Sequence, residues 1–219
     1  MNPQASQPRH QIKRAMISGF LGAAVLWTAS CSTISPAADP DYQDRLPDTC
    51  SHHLEDALKN FAGELYDQRR FDSEEDASED VGNQSLGLMN CSVSFTSEDF
   101  DSTEVPIGRH AGFDYNIVTE EQGTGDPEEE ATDRYLRTLD RAPNSATLLP
   151  IPGLGDEAHY WHQEEVPTGA HVSFRQHNLT VKVTVWGNDR NSTGEEVPMP
   201  QQEAEEAARH LAEAVFDNL

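Results

Sequence analysis

Downstream of residue 47, apolar positions recur in two rhythms, and each rhythm predicts an element. Leu54, Leu58, Phe61, Ala62 and Leu65 are spaced three or four apart, which puts them on one face of an amphipathic helix over 51–67. Asp48 or Ser51 stands where an N-cap is expected, and Cys50 lies at the helix start. The stretch 72–80 (DSEEDASED) has no large apolar residue and reads as an exposed acidic loop. Residues 86–95 predict a strand. Leu86 and Leu88 keep one phase and Cys91, Val93 and Phe95 the other, so a bulge or bend is expected near Met89-Asn90.

Phe113, Tyr115 and Ile117 alternate with polar neighbours and predict another strand. Residues 121–130 hold two glycines, a proline and five carboxylates and form a loop. Pro127 opens a helix with Ala131, Tyr135, Leu136 and Leu139 on one face. Residues 141–152 fit neither rhythm. Residues 157–162 read as a strand. Val172 and Phe174, then Leu179, Val181, Val183 and Val185, form the two arms of a hairpin about His177-Asn178. A last helix over 201–218, behind Pro198 and Pro200, has the stripe Ala204, Ala208, Leu211, Ala212, Val215 and Leu219. This order predicts an α+β domain: an antiparallel sheet with helices packed on one face.

The first thirty residues follow neither rhythm. Arg9, Lys13 and Arg14 precede the sixteen uncharged residues 15–30 (AMISGFLGAAVLWTAS), the layout of a secretory signal peptide. The run is short of the roughly 20 residues a membrane span needs. Without paired arginines, general secretion is expected. Ala29 and Ser30 are small, as signal peptidases require, and Cys31 follows directly. That junction resembles the lipobox of bacterial lipoproteins, which implies acylation of Cys31, although the family usually has Leu where Thr28 stands. The alternative is an ordinary signal peptide followed by a coincidental cysteine. Residues 32–47, with Pro36, Pro40 and Pro47, read as a flexible tether. The predicted organisation is therefore a signal peptide (1–30), a lipidated tether (31–47) and an extracytoplasmic domain (48–219).

Charge narrows the partners. Removing three basic residues from 15 leaves 12 against 39 acidic ones, a net charge of −27. Such a surface repels phosphate backbones, so nucleic acid is not an expected partner. If Cys31 is acylated, Cys50 and Cys91 remain, and an even pair in an oxidising compartment predicts one structural disulfide rather than a thiol nucleophile.

Five features together carry a resemblance: Cys31 after its lipobox-like run, Pro47-Asp48-Thr49-Cys50 opening a helix, Asn90-Cys91-Ser92-Val93 in a strand, Gly153-Leu154-Gly155-Asp156-Glu157-Ala158 before a hairpin, and a terminal helix containing 211–215 (LAEAV). The chain resembles small actinobacterial lipoproteins built on an uncharacterised extracellular domain. The resemblance implies the same export and disulfide, and no assigned activity.

No catalytic constellation stands out: G-x-S-x-G, Ser-x-x-Lys and His-Glu-x-x-His are all missing, and no cofactor motif is present. Gly153 and Gly155 are expected to supply positive φ before a strand, with Asp156 accepting from nearby amides. His159 and His162 fall on opposite faces of a strand, and His52, His53 and Asp56 do not complete a metal site locally. The acidic stretches 72–80 and 128–130 lack the alternation of a calcium loop. Asn83, Asn90, Asn178 and Asn191 begin N-x-S/T triplets, read as chance in a bacterial protein. Tyr160, Trp161 and Trp186 are the candidate recognition group, unless buried in the core. The expected role is a non-enzymatic, membrane-anchored domain that binds another envelope protein or a small ligand. The alternative is a metal-binding protein or metal-dependent hydrolase, which needs His52, His53, His159, His162 or His171 to converge with carboxylates.

Overall fold

A computed structural model describes residues 43, 45–47, 53–75, 87–97, 107–120, 125–165 and 167–219. They fall in one compact unit, 38–219. The chain runs α1 (Glu55–Ala62), a 3-10 turn (Gly63–Asp67), β1 (Arg69–Glu75), β2 (Leu88–Thr96), β3 (Gly108–Ile117), α2 (Pro127–Asp140), β4 (Leu149–Pro150), β5 (Glu157–Gln163), β6 (Gly169–Gln176), β7 (Leu179–Arg190), β8 (Glu196–Pro198) and α3 (Gln201–Phe216). The class is α+β. Every strand pair is antiparallel, in the order β1-β2-β3-β7-β6-β5-β4, with β8 added to β7.

The register sorts side chains into two faces. Tyr160, Val172, Val183, Phe113 and Cys91 line up across five strands. In the adjacent row stand Trp161, His171, Thr184, Gly112 and Ser92. Because successive residues point to opposite sides, the first row and its alternates form the core face. There Val93, Phe95, Phe113, Val172, Phe174, Val181, Val183 and Val185 are all but fully buried. The α3 stripe Ala204, Ala208, Leu211, Ala212 and Val215 covers this face, as predicted, with Phe216 set edge-on to Phe174. Phe61 and Tyr66 meet Phe95, so α1 and its 3-10 turn cover the same face at β2.

α2 lies on the other face, which corrects the expectation that all helices share one side. Thr180, which belongs to the second set of rows, donates to Ala131 O (3.4 Å). Tyr135 bonds His159 of that face (Oη···Nδ1 2.6 Å). Only Ala131 and Tyr135 of α2 are buried, and Leu136 is 47% exposed, off the predicted stripe. A helix packed on a polar sheet face needs little apolar surface.

Other differences have local causes. α1 stops at Ala62 because Gly63 takes φ 55, and its N-cap is Leu54 without a side-chain bond. Asp48, Cys50, Ser51 and His52 lie outside the described residues. The acidic loop expected over 72–80 begins as strand: residues 72–75 pair with 90–93. An edge strand is held by backbone bonds and tolerates charge. β2 runs in unbroken register from Leu88 to Thr96, with Met89 in phase with Cys91, so there is no bulge; Leu88 points to the other face. β3 begins five residues before Phe113, where Gly108, Arg109, His110 and Gly112 gave no apolar rhythm.

The hairpin turns where it was expected. His177 has φ 49; its N–H donates to Asp156 Oδ2 (2.8 Å) and its carbonyl accepts from Arg175 Nη1 (2.9 Å). The expected positive φ is present at Gly153 (83°) and Gly155 (62°). The amide that Asp156 accepts from belongs to the hairpin turn rather than to its own loop. Asn178 is wholly buried; its Nδ2 donates to Gln43 O (2.7 Å) and Val118 O (2.8 Å), and its Oδ1 accepts from Gln43 N (3.1 Å). This clasp fixes the point where the chain enters the domain.

Candidate functional site

The sheet face that α2 covers only in part carries a cleft of 360 Å³. Its floor comes from Leu88 and Asn90 of β2, Asp114 and Asn116 of β3, Thr180 and Lys182 of β7, His171 of β6, and Trp161 and Gln163 of β5. Arg134 and Thr138 of α2 form the wall, continued by Arg141, Ala142 and Pro143 in the following turn. These floor residues are on this face because they occupy the strand positions alternate to the core. The volume is at the lower end for small-molecule sites.

Two cation positions are already matched. Arg134 bonds Glu130 one turn back and donates to Asn116 Oδ1. Lys182 Nζ lies 3.5 Å from Asp114 Oδ2. Arg141 is exposed and has no ion pair among the described residues.

Trp161 stacks on His171 with ring centroids 5.0 Å apart, and His171 Nδ1 meets Thr184 Oγ1 at 3.1 Å. On the adjoining strands Trp186 stacks on His110 (5.2 Å), and His110 Nδ1 meets Ser94 Oγ at 2.8 Å. The two assemblies have the same composition: an indole, an imidazole and a hydroxyl on three adjacent strands. Burial lowers the pKa of His171 to about 4, helped by the charges of Lys182 and His162. Burial also lowers that of His110. The His171 imidazole is therefore neutral at physiological pH, and its buried Nε2 has no hydrogen-bond partner. Ser94 and His110 bring a hydroxyl and an imidazole together, but neither lines the cleft.

The aromatic group expected from Tyr160, Trp161 and Trp186 is divided. Trp161 and Trp186 share the open face. Tyr160 points to the core face, beneath the Arg209 guanidinium (3.9 Å from its ring centre). Trp161 is 3% exposed, so it belongs to the floor of the cleft rather than to a projecting patch. Odd spacing separates His159 and His162 as predicted: His159 bonds Tyr135 on the open face, and His162 lies in the Ala170–Val185 row of the core face.

Among the described residues, the histidines proposed for a metal (His53, His159, His162 and His171) do not assemble. Among the described residues, one group places three possible ligands within 4.8 Å, Glu128, Asp156 and His177. It contains none of His53, His159, His162 or His171. Arg175 already supplies positive charge there, 2.9 Å from Asp156 and 3.5 Å from Glu128. Cys91 is buried on the core face, its Sγ 3.8 Å from Phe113 O. Cys31, Cys50 and Asn83 lie outside the described residues.

The cleft was missed in the sequence because its floor is the polar phase of strands recognised by their apolar phase. The available signal was the chemistry of the alternate positions: Asn90, Asp114, Asn116, His171 and Lys182 are an unusual set for one sheet face. Neither family models, nor curated proteins, nor solved structures give a match to this chain.

Proposed function

We propose that the chain is an exported bacterial lipoprotein whose domain binds a small polar ligand in the cleft between α2 and the open sheet face. In this reading residues 1–30 are removed, Cys31 is acylated, and the domain is held on the outer face of the cell membrane. Support for export comes from the basic start, the sixteen-residue uncharged run and the small residues before Cys31. Among the described residues no helix is long and apolar enough to cross a membrane. Cys50 and Cys91 form the disulfide of this reading. Cys91 belongs to the same core cluster as Leu54 and Leu58 of the α1 segment, which begins just after Cys50.

The observation that carries the binding role is the cleft itself: polar groups converge from five strands, α2 and a turn around 360 Å³. A binding role needs no nucleophile, metal or redox group, and is read as non-enzymatic. A small ligand is favoured over a docked protein because the site is concave and Trp161 is recessed within it.

The test is native mass spectrometry of the full chain extracted from its own membranes in a mild detergent. The expected spectrum shows an N-terminal diacylated cysteine at Cys31 and a bound small molecule, the latter lost in Thr138→Trp, which fills the cleft. An unacylated chain would overturn the anchor. A chain whose bound mass is the same in Thr138→Trp, or which has none, would overturn the cleft.

A further inference from the structure

The composition of the cleft goes further and specifies a kind of ligand. The full chain has 39 acidic and 15 basic residues, yet the cleft is lined by three cations and one carboxylate. Arg134 is offset by Glu130, and Lys182 by Asp114. One positive charge is left over, on Arg141, whose guanidinium has no ion pair among the described residues and stands exposed at the rim. The amides of Asn90 and Gln163, the latter already donating to Glu165 O (3.4 Å), offer both donors and acceptors, and Asp114 is the sole carboxylate of the lining.

We infer that the cleft takes a small monoanion: one carboxylate on a hydroxyl- or amide-rich body, with the carboxylate paired to Arg141. This rests on reading the cleft as a binding site. A guanidinium fork matches the planar carboxylate with two parallel hydrogen bonds. A phosphate monoester, with close to two negative charges at neutral pH, exceeds the single uncompensated charge. A neutral sugar leaves Arg141 unmatched. Asn90, Gln163 and Lys182 offer donors to ligand hydroxyl or carbonyl oxygens, and Trp161 adds apolar surface to the floor.

Titration calorimetry on the full chain in neutral detergent tests this with two matched pairs: glucuronate against glucuronamide, and N-acetyl-alanyl-alanine against its C-terminal amide. Each pair differs at one group, a carboxylate against its uncharged amide. The expected result is binding of at least one carboxylate roughly tenfold or more tighter than its amide, the range for a hydrogen-bonded charge. Arg141→Gln should abolish that preference while leaving the melting temperature unchanged, because the side chain is exposed. Equal binding of acid and amide overturns the monoanion and leaves the cleft as a site. So does silence from all four probes when native mass spectrometry still finds an adduct lost in Thr138→Trp. Silence together with no such adduct overturns both. Discrimination that persists in Arg141→Gln removes Arg141 as the carboxylate partner and overturns the inference.

Discussion

Asn178→Ala should destabilise the domain far more than an ordinary turn substitution. The side chain is wholly buried and makes three hydrogen bonds, two donated to Gln43 O and Val118 O and one accepted from Gln43 N. At about 1 kcal/mol for each bond, their loss costs about 3 kcal/mol, since alanine replaces none of them. For a domain of this size that is a fall of roughly 6–12 °C in melting temperature. Urea titration followed by tryptophan fluorescence should show a lower midpoint at unchanged slope. Asn178→Asp separates the contributions. It keeps the acceptor for Gln43 N–H but turns a buried carboxylate towards two carbonyl oxygens, so it should cost more than alanine. A loss below about 1 kcal/mol for alanine, or an aspartate variant milder than alanine, would refute the clasp as a stabilising element.

His171 connects stability to pH. Its folded pKa of about 4 lies below the ordinary 6.5, so the unfolded chain takes up a proton first as pH falls. Its contribution is present in full above pH 6.5 and is lost on acidification towards pH 4. The unfolding free energy of His171→Gln from urea titration should therefore fall less than that of the parent over this window, by a difference approaching about 3 kcal/mol at about pH 4; superimposable profiles would sink the assignment. Gly155→Ala and Gly153→Ala should differ although both glycines have positive φ. A Cβ at Gly155 would stand 2.4 Å from Arg175 O, whereas at Gly153 it meets nothing within 4 Å. Thermal melts should show about 1–2 kcal/mol lost at Gly153 from backbone strain alone, and clearly more at Gly155; equal losses would refute the close approach. Non-reducing peptide mapping should recover Cys50 linked to Cys91, and reduction should remove about 2–4 kcal/mol; free thiols at both positions would remove the disulfide.

Much of the core face was legible in the sequence because burial on one side of a strand forces alternation. Leu179, Val181, Val183 and Val185 announce β7, and the spacing of Ala204, Ala208, Leu211 and Val215 announces α3. The open face leaves no such signature. Its residues contact a helix sparsely and solvent elsewhere, so nothing forces an apolar period on them. The placement of α2 was hidden for the same reason. Ala131 and Tyr135 are enough to seat it, while the neighbouring Arg134 and Thr138 line the cleft. β1 and β8 escaped because edge pairing is made by backbone groups, which every sequence has. The Trp161–His171 and Trp186–His110 stacks depend on cross-strand register, which pairs residues 10 and 76 positions apart and cannot be read from either strand alone.

The strand order also sets a timetable for assembly. β1, β2 and β3 pair in sequence, as do β4, β5, β6 and β7, so each group closes through neighbours along the chain. A single seam, β3 against β7, joins the two groups, and its pairs lie 62 (Ile117–Leu179) to 80 (Gly108–Asn188) residues apart. Long-range pairing of this kind is slow because loop entropy is lost before contacts form. A chain made from its amino end cannot complete that seam until residue 188 has been added, and α3 follows after that. Until then β1, β2 and β3 wait with the edge of β3 unpaired, so β7 decides whether the first half of the sheet becomes part of a domain or remains sticky.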